Sequence, residues 1–331
     1  VFARLRDPAP PAPALMAGPC LAALLLAWAS WRFVEQPFRR RSGLGAPRPA
    51  LALAGLAALA LAACGLFAVV SGGMAGRAAP TRDPRLLAFV ASGTRPAVPP
   101  FACPERAGLV APCLAAAAPG ASLRIGLFGD SHAEAALPGF TALARSRGMD
   151  LTYAALGGCP PLLGGYVLNG NSPPATCPRL AERQLAAARA ARLDAVFLVA
   201  RWTLYAEGDP LSDKGYLLAR TAWPLHPTRA ASRAALAPLV AQTVAAYRRA
   251  GIRVILVAQV PQQQIAVDRV IPWLAYRPPA DLAALIAASA VPVRASAAFS
   301  AAADAALAGA VQPGVTFARF DAPFRAGSRY A

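Results

Sequence analysis

Five short apolar runs, at 123–128, 151–155, 196–200, 254–258 and 315–320, punctuate this chain from residue 123 onward and are separated by segments of helical length. Their residues are apolar in succession rather than in alternation, so strands formed there are buried on both faces. The intervening segments 133–147, 178–192, 229–250 and 295–308 read as helices. Gly148 and Gly251 each stand just past an arginine-bearing last turn, where a helix is expected to stop. The pattern predicts an α/β fold, doubly wound, with a mostly parallel sheet covered by helices. In such sheets functional groups gather beyond the carboxyl ends of the strands.

One run ends in a residue with chemistry. The segment Ile125-Gly126-Leu127-Phe128-Gly129-Asp130-Ser131-His132 delivers a serine to the start of a predicted helix. Backbone N–H groups are free there and the helix dipole favours developing negative charge, as acyl transfer through a serine ester requires. Ser131 is therefore the candidate nucleophile. The tetrapeptide 129–132 resembles the first block of the SGNH/GDSL hydrolase family, whose serine is the nucleophile, and the predicted sheet resembles that family's flavodoxin-like fold.

The first seventy residues belong to another class. Residues 51–70 run without a charge, long enough at 1.5 Å per residue to span a hydrocarbon core. A shorter stretch, 14–31, contains Pro19 and ends in Trp28 and Trp31, residues suited to a headgroup boundary. Between the two lie Arg32, Arg39, Arg40, Arg41 and Arg48, against the single acid Glu35. The positive-inside rule places this loop in the cytoplasm and everything beyond about Gly72 on the far side. A cleaved signal peptide fits neither the length of the second stretch nor the fifty residues before it.

Cysteine content agrees with an exported domain, while the arginine-borne charge reads as a coding bias towards Ala and Arg. The chain has 331 residues, is 56% hydrophobic and carries a formal charge of +17. Lys214 is its only lysine, and the arginines are scattered without interleaved aromatics, which argues against a nucleic-acid surface. Cys20 and Cys64 lie in the apolar stretches. Cys103, Cys113, Cys159 and Cys177 lie beyond them, an even number in an oxidising compartment. Three connectivities are possible, and proximity favours Cys103 with Cys113 and Cys159 with Cys177. No histidine neighbours these cysteines and no Cys-x-x-Cys spacing occurs, so no metal is expected.

Residues 31–40, Trp-Arg-Phe-Val-Glu-Gln-Pro-Phe-Arg-Arg, resemble the segment that closes the membrane domain of acyltransferase family 3. Members of that family O-acylate extracytoplasmic glycans, and in many of them one further helix leads into a C-terminal SGNH domain. The resemblance implies this organisation: 1–41 as the end of a membrane domain, with one span at about 14–31; 42–71 as an additional transmembrane helix; 72–120 as an extracytoplasmic linker rich in Pro, Gly, Ala and Arg; and 121–331 as the SGNH domain. It further implies an inner-membrane, multi-pass protein whose SGNH domain faces the periplasm. Its partners would be the bilayer and a surface glycan as acceptor. Its acyl donor would be an acyl-CoA such as acetyl-CoA, with no bound cofactor.

The remaining SGNH blocks are partly present. Leu156-Gly157-Gly158-Cys159 resembles the block whose glycine offers a backbone N–H to the oxyanion. Gly158 is the candidate and Gly157 the alternative, while a tight turn locked by Cys159 fits the same residues. Where the wider family has Gly-x-Asn-Asp, this chain has Ala200-Arg201-Trp202-Thr203, similar to the form in acyltransferase-fused domains. Arg201 or Trp202 could line the site, and an aromatic cover over the sheet edge is the other reading of Trp202. Residues 257–261 match the fourth strand's end and read as scaffold.

The late Asp-x-x-His that supplies the family's acid and base is not found, because Phe324 stands three residues after Asp321. Of the two histidines, His132 adjoins Ser131 and points elsewhere on the helix, and His226 sits between prolines in a loop. Family order implies that the sequence is a fragment, with further N-terminal spans and a C-terminal extension carrying the missing pair. The expected function is O-acyltransfer to an extracytoplasmic polysaccharide through a Ser131 ester. A membrane-anchored esterase and a non-catalytic glycan-binding domain are the alternatives.

Overall fold

The computed structural model describes residues 13–36, 47–71, 105–106, 109–167, 173–209, 215–222, 228–262 and 290–330. The chain divides into two compact units, 1–95 with 265–285 and 96–264 with 286–331. In the first unit two helices are described, α1 (Pro13–Ala29), continued by a π-helical turn at Ser30–Glu35, and α2 (Pro47–Val70). They form where the apolar stretches predict helices, and their large side chains are bare: Leu24 is 68% and Leu61 75% exposed.

Among the described residues, however, no helix is long and apolar enough to cross a membrane. The 17 residues of α1 reach only about 26 Å and include Pro19, short of a hydrocarbon core of about 30 Å. In α2 the side chains at 47–54 and 57 lie outside the described residues. The two spans expected from the sequence are thus unsupported by the structure.

The second unit is a mixed α/β domain around a six-stranded sheet. Its strands are β1 (Cys113–Ala116), β2 (Leu123–Gly129), β3 (Met149–Ala155), β4 (Ala195–Val199), β5 (Arg253–Val257) and β6 (Val315–Ala318). The spatial order is β6-β5-β4-β2-β3-β1, and every pairing is parallel except β1 with β3. All five predicted strands are present. The sixth, β1, falls inside the stretch 72–120 that the sequence places in a linker. It is short and its Leu114 is exposed, so its sequence lacks the doubly buried signature of the others.

Helices α3 (Ser131–Arg147), α4 (Thr176–Ala190), α6 (Arg229–Arg249) and α7 (Val293–Ala308) match the four predicted ones, with a short helix α5 (Trp202–Glu207) added after β4. Along β2 successive side chains enter opposite layers. Ile125 and Leu127 pack with Ala133, Leu137 and Ala144 of α3. Phe128 joins Leu180 of α4 and Leu236, Val240 and Val244 of α6. This double burial is why β2 reads as an uninterrupted apolar run. Gly148, with φ +61, ends α3 in the left-handed conformation that glycine adopts without strain.

The winding direction changes at β2. From it the chain moves to β3 on one side and, after α4, to β4 and onward on the other. Gly129, the last residue of β2, lies between Ala155 of β3 and Val199 of β4 in register. A Cβ on Gly129 would lie 1.7 Å from the Val199 carbonyl oxygen and 2.9 Å from the Ala133 side chain. Only glycine lets the chain turn into α3 while β2 and β4 stay paired. Gly129→Ala is expected to leave the second unit unfolded or strongly destabilised. Leu127→Ala, at a site with 0% exposure, is expected to fold with a loss of about 2–5 kcal/mol, both measured by urea denaturation followed by circular dichroism.

Candidate functional site

Three loops leave the sheet side by side at the switch in winding. Ser131 stands two residues past the end of β2, Gly158 three past β3 and Arg201 two past β4. A cross-loop bond closes this edge, the Leu156 N–H donating to the Gly129 carbonyl at 3.2 Å. The fold therefore brings the sequence-predicted Ser131, Gly158 and Arg201 to neighbouring strand ends.

Ser131 is the first residue of α3 and is exposed. The N-cap is Asp130, whose Oδ1 accepts from the His132 N–H at 2.8 Å, while its carbonyl accepts the N–H groups of Ala133 and Glu134. Among the described residues neither the hydroxyl nor the N–H of Ser131 has a hydrogen-bond partner. That leaves a nucleophile and a donor together at the positive end of a helix dipole.

The glycine loop is a four-residue turn closed by Cys159 N–H to the Leu156 carbonyl at 2.9 Å. Gly158 has φ +76, the left-handed value that the third residue of a type II turn requires, whereas a Cβ on Gly157 would meet nothing within 4 Å. Conformation thus singles out Gly158. Its N–H has no partner among the described residues. Cys159 is bonded to Cys177 in the first turn of α4, and both are buried, so the turn and a possible donor role coexist. Cys113 is also disulfide-bonded; Cys103, its expected partner, lies outside the described residues. Cys20 and Cys64 are free thiols.

Asp130 is the residue that sequence reasoning passed over. It is 1% exposed, and its Oδ2 accepts both the Arg201 N–H at 2.9 Å and the Tyr205 hydroxyl at 2.6 Å. One carboxylate thereby joins the serine turn, the β4 exit and α5. An aspartate before a helix-starting serine signals the cap; Tyr205, 75 positions away, leaves no trace in local sequence. Burial, and then the charge of Asp130, push the Tyr205 hydroxyl well above its ordinary pKa, so it stays a proton donor.

Arg201 is half-buried. Its guanidinium donates to Asp209 at 3.1 Å and to the Gln262 side-chain oxygen at 3.3 Å, which leaves further N–H groups of its fork for a ligand. Trp202 does not line an open site. It is 1% exposed, with its indole N–H donating to the Val257 carbonyl at 2.7 Å, and it fills the core beneath the ends of β4 and β5. Thr203 beside it is held by Gln259.

Burial lowers the pKa of His132, with Asp130 opposing and Arg201 reinforcing the shift. Burial and Asp130 raise that of Glu134. His132 is on the helix one position past Ser131, about 100° around the axis, and does not face the same way. His226 lies outside the described residues. Asp321 follows β6, at the far side of β5 and β4 from Ser131, and accepts from the Tyr330 hydroxyl at 2.7 Å and from Arg319. The described residues contain no group of three or more His, Cys, Asp or Glu arranged for a metal.

The description "SGNH domain (fused to AT3 domains)" matches residues 102–322. The chain belongs to this family. Two solved structures are similar to it. One is the periplasmic domain of the lipopolysaccharide acetyltransferase of Salmonella ser. Paratyphi A, at 13% identity over 75% of this chain and 84% of that one, with a TM-score of 0.44. The other is a Bacteroides fragilis protein assigned as an acylhydrolase, at 15% identity over 64% of this chain and 74% of that one, with a TM-score of 0.30. No curated protein matches the chain. The match begins at 102, so the SGNH domain takes in β1 as well as the five predicted strands.

Two outcomes follow for the SGNH domain. Tyr205→Phe deletes a buried bond to a carboxylate and is expected to cost about 1.5–3 kcal/mol in urea denaturation, with Ser131 becoming more mobile in hydrogen exchange of 129–134. The folded state resists protonating His132, whose ordinary pKa is 6.5, while the unfolded chain does not. Stability is therefore lost as pH falls through 6.5. His132→Gln removes that part of the loss, which denaturation midpoints at pH 7.5 and pH 5.5 measure.

Proposed function

We propose that this chain is the SGNH part of a membrane-attached O-acyltransferase that acylates an extracytoplasmic polysaccharide. The observation that carries the reading is the exposed Ser131 hydroxyl at the start of α3, with its own backbone N–H and that of Gly158, past the neighbouring strand end, both without a partner among the described residues. A serine ester forms when the Ser131 oxygen bonds to the acyl carbon, its proton passes to a base and the donor's leaving group departs. The two N–H groups receive the negative charge on the carbonyl oxygen, with Arg201 adding positive charge nearby. A glycan hydroxyl then attacks the ester, loses its proton and restores the serine.

The donor in this reading is an acyl-CoA, acetyl-CoA being the simplest, with its acyl group handed outward by a membrane domain. Membrane attachment in this reading rests on the sequence alone, on the apolar stretches 14–31 and 51–70 and the arginines between them. The SGNH domain then lies in the periplasm of a bacterial inner-membrane protein, with the glycan as partner. His132 is unsuited as the base by direction, and no residue of this chain is assigned as the base.

Exposure of Ser131 to water favours a second reading, an anchored esterase that removes acyl groups from a glycan. Ser131→Ala in the full-length protein is expected to lower acylation of the surface polysaccharide at least about a hundredfold by mass spectrometry. Unchanged acylation would remove Ser131 from the reaction. Increased acylation would select the esterase.

A further inference from the structure

Coding bias accounts for how many arginines the chain has, but not for where the fold puts them. The parallel strands all begin at one edge of the sheet, opposite the edge that carries Ser131, and α3, α4 and α6 each end a few residues before the next strand begins there. Arg145 and Arg147 close α3, Arg189 and Arg192 stand at the end of α4, Arg249 closes α6 and Arg253 opens β5, all six exposed. Asp194 ties these turns together. Its Oδ2 accepts the Arg124 N–H at 2.7 Å and its carbonyl accepts the Arg253 N–H at 3.1 Å.

The positive charge of this edge is not neutralised. Asp150 and Asp194 are the acids that face it among the described residues, and both carboxylates are engaged by backbone, Asp150 by the Ala118 N–H at 2.9 Å. The ion pairs of the described sheet domain, Arg201 with Asp209, Arg233 with Glu207 and Arg319 with Asp304 and Asp321, involve none of these arginines.

One of the six stands where the backbone disfavours a side chain. Gly148 after α3 and Gly251 after α6 are left-handed, with φ +61 and +78. The residue in that role after α4 is Arg192, with φ +49, the one positive φ outside glycine among the described residues. The Leu193 N–H returns to the Ala188 carbonyl at 3.0 Å, the closing bond of a helix end that glycine ordinarily makes. Arginine carries strain there that glycine would not. The helix dipole rewards a cation in a last turn, but it explains neither this choice nor Arg253, which opens a strand.

We propose that this edge is the face by which the domain rests on anionic phospholipid headgroups. The proposal borrows from the acyl-transfer reading only the presence of a bilayer. The turns 147–149, 190–194 and 249–253 hold no aromatic residue to stack a base, and they are helix ends and tight turns rather than a groove for a linear polymer. A bilayer instead brings many mobile anions to a broad face, and clustered arginines each add to the attraction. β2 has seven residues, so Ser131 is held about 20 Å from this edge and faces away from the lipid.

The test mixes the full chain with vesicles of phosphatidylcholine alone, or with phosphatidylglycerol in equal parts, and reads arginine exposure by phenylglyoxal labelling and mass spectrometry. Labelling of Arg147, Arg192, Arg249 and Arg253 is expected to fall about fivefold in the anionic vesicles and to recover in about 0.5 M salt. Arg229 and Arg294, exposed at the amino ends of α6 and α7, are expected to label equally in both. Arg192→Gly combined with Arg253→Gln is expected to keep or raise the urea midpoint while raising labelling of Arg189 and Arg249 in anionic vesicles at least about threefold. Equal labelling in the two vesicles, or protection undiminished in the folded double variant, overturns the lipid face. Greater protection by soluble polygalacturonate, at matched charge with neutral vesicles, would assign the edge to an acidic polymer and overturn it as well. Protection that persists while Ser131→Ala leaves glycan acylation unchanged would retain the lipid face and defeat the acyl-transfer reading.

Discussion

The Asp130 carboxylate is bonded from three directions, by the His132 N–H, the Arg201 N–H and the Tyr205 hydroxyl, and the whole candidate site hangs from it. One oxygen starts the helix that presents Ser131. The other fixes the β4 exit and the short helix behind it. Such a group is buried only because every lone-pair direction it needs is met, with donors from the serine turn and from the segment 201–205. Ser131 can therefore be exposed without being loose, since the residue before it is among the most tightly held in the domain.

The sheet supplies the complementary constraint. Gly129 has no room for a side chain because β2 and β4 come together at that point, and the same closeness sets the serine beside the glycine loop and Arg201. The left-handed Gly158 then turns the loop after β3 back towards the edge. Backbone geometry at two glycines and side-chain bonding at one aspartate converge on a single surface.

Much of this was legible in the sequence, and the parts that were not share a physical reason. Buried parallel strands announce themselves as unbroken apolar runs, so β2 to β6 and the four long helices stand within two or three residues of expectation. The serine was legible because a nucleophile on a strand-to-helix junction needs a particular local sequence. The edge strand β1, half exposed and four residues long, has no such imprint. Trp202 could be read either as lining the site or as covering the sheet edge, because an indole suits both; the nearby Val257 carbonyl decides it and cannot be seen from positions 200–205. Tyr205 and Gln262 matter through contacts that join distant segments, and periodicity carries no information about those.

The bond between Cys159 and Cys177 has a bearing on when this site comes into being. It staples the loop holding Gly158 to the first turn of α4, with both sulfurs shielded from solvent. A freshly synthesised copy kept among cellular reductants would have its serine in place but would hold the opposing loop by backbone bonds, Leu156 N–H to Gly129 and Cys159 N–H to Leu156, without the covalent staple. Maturation of the pocket is then a chemical event separate from folding of the sheet, and once sealed in the interior the linkage is out of reach of soluble thiols.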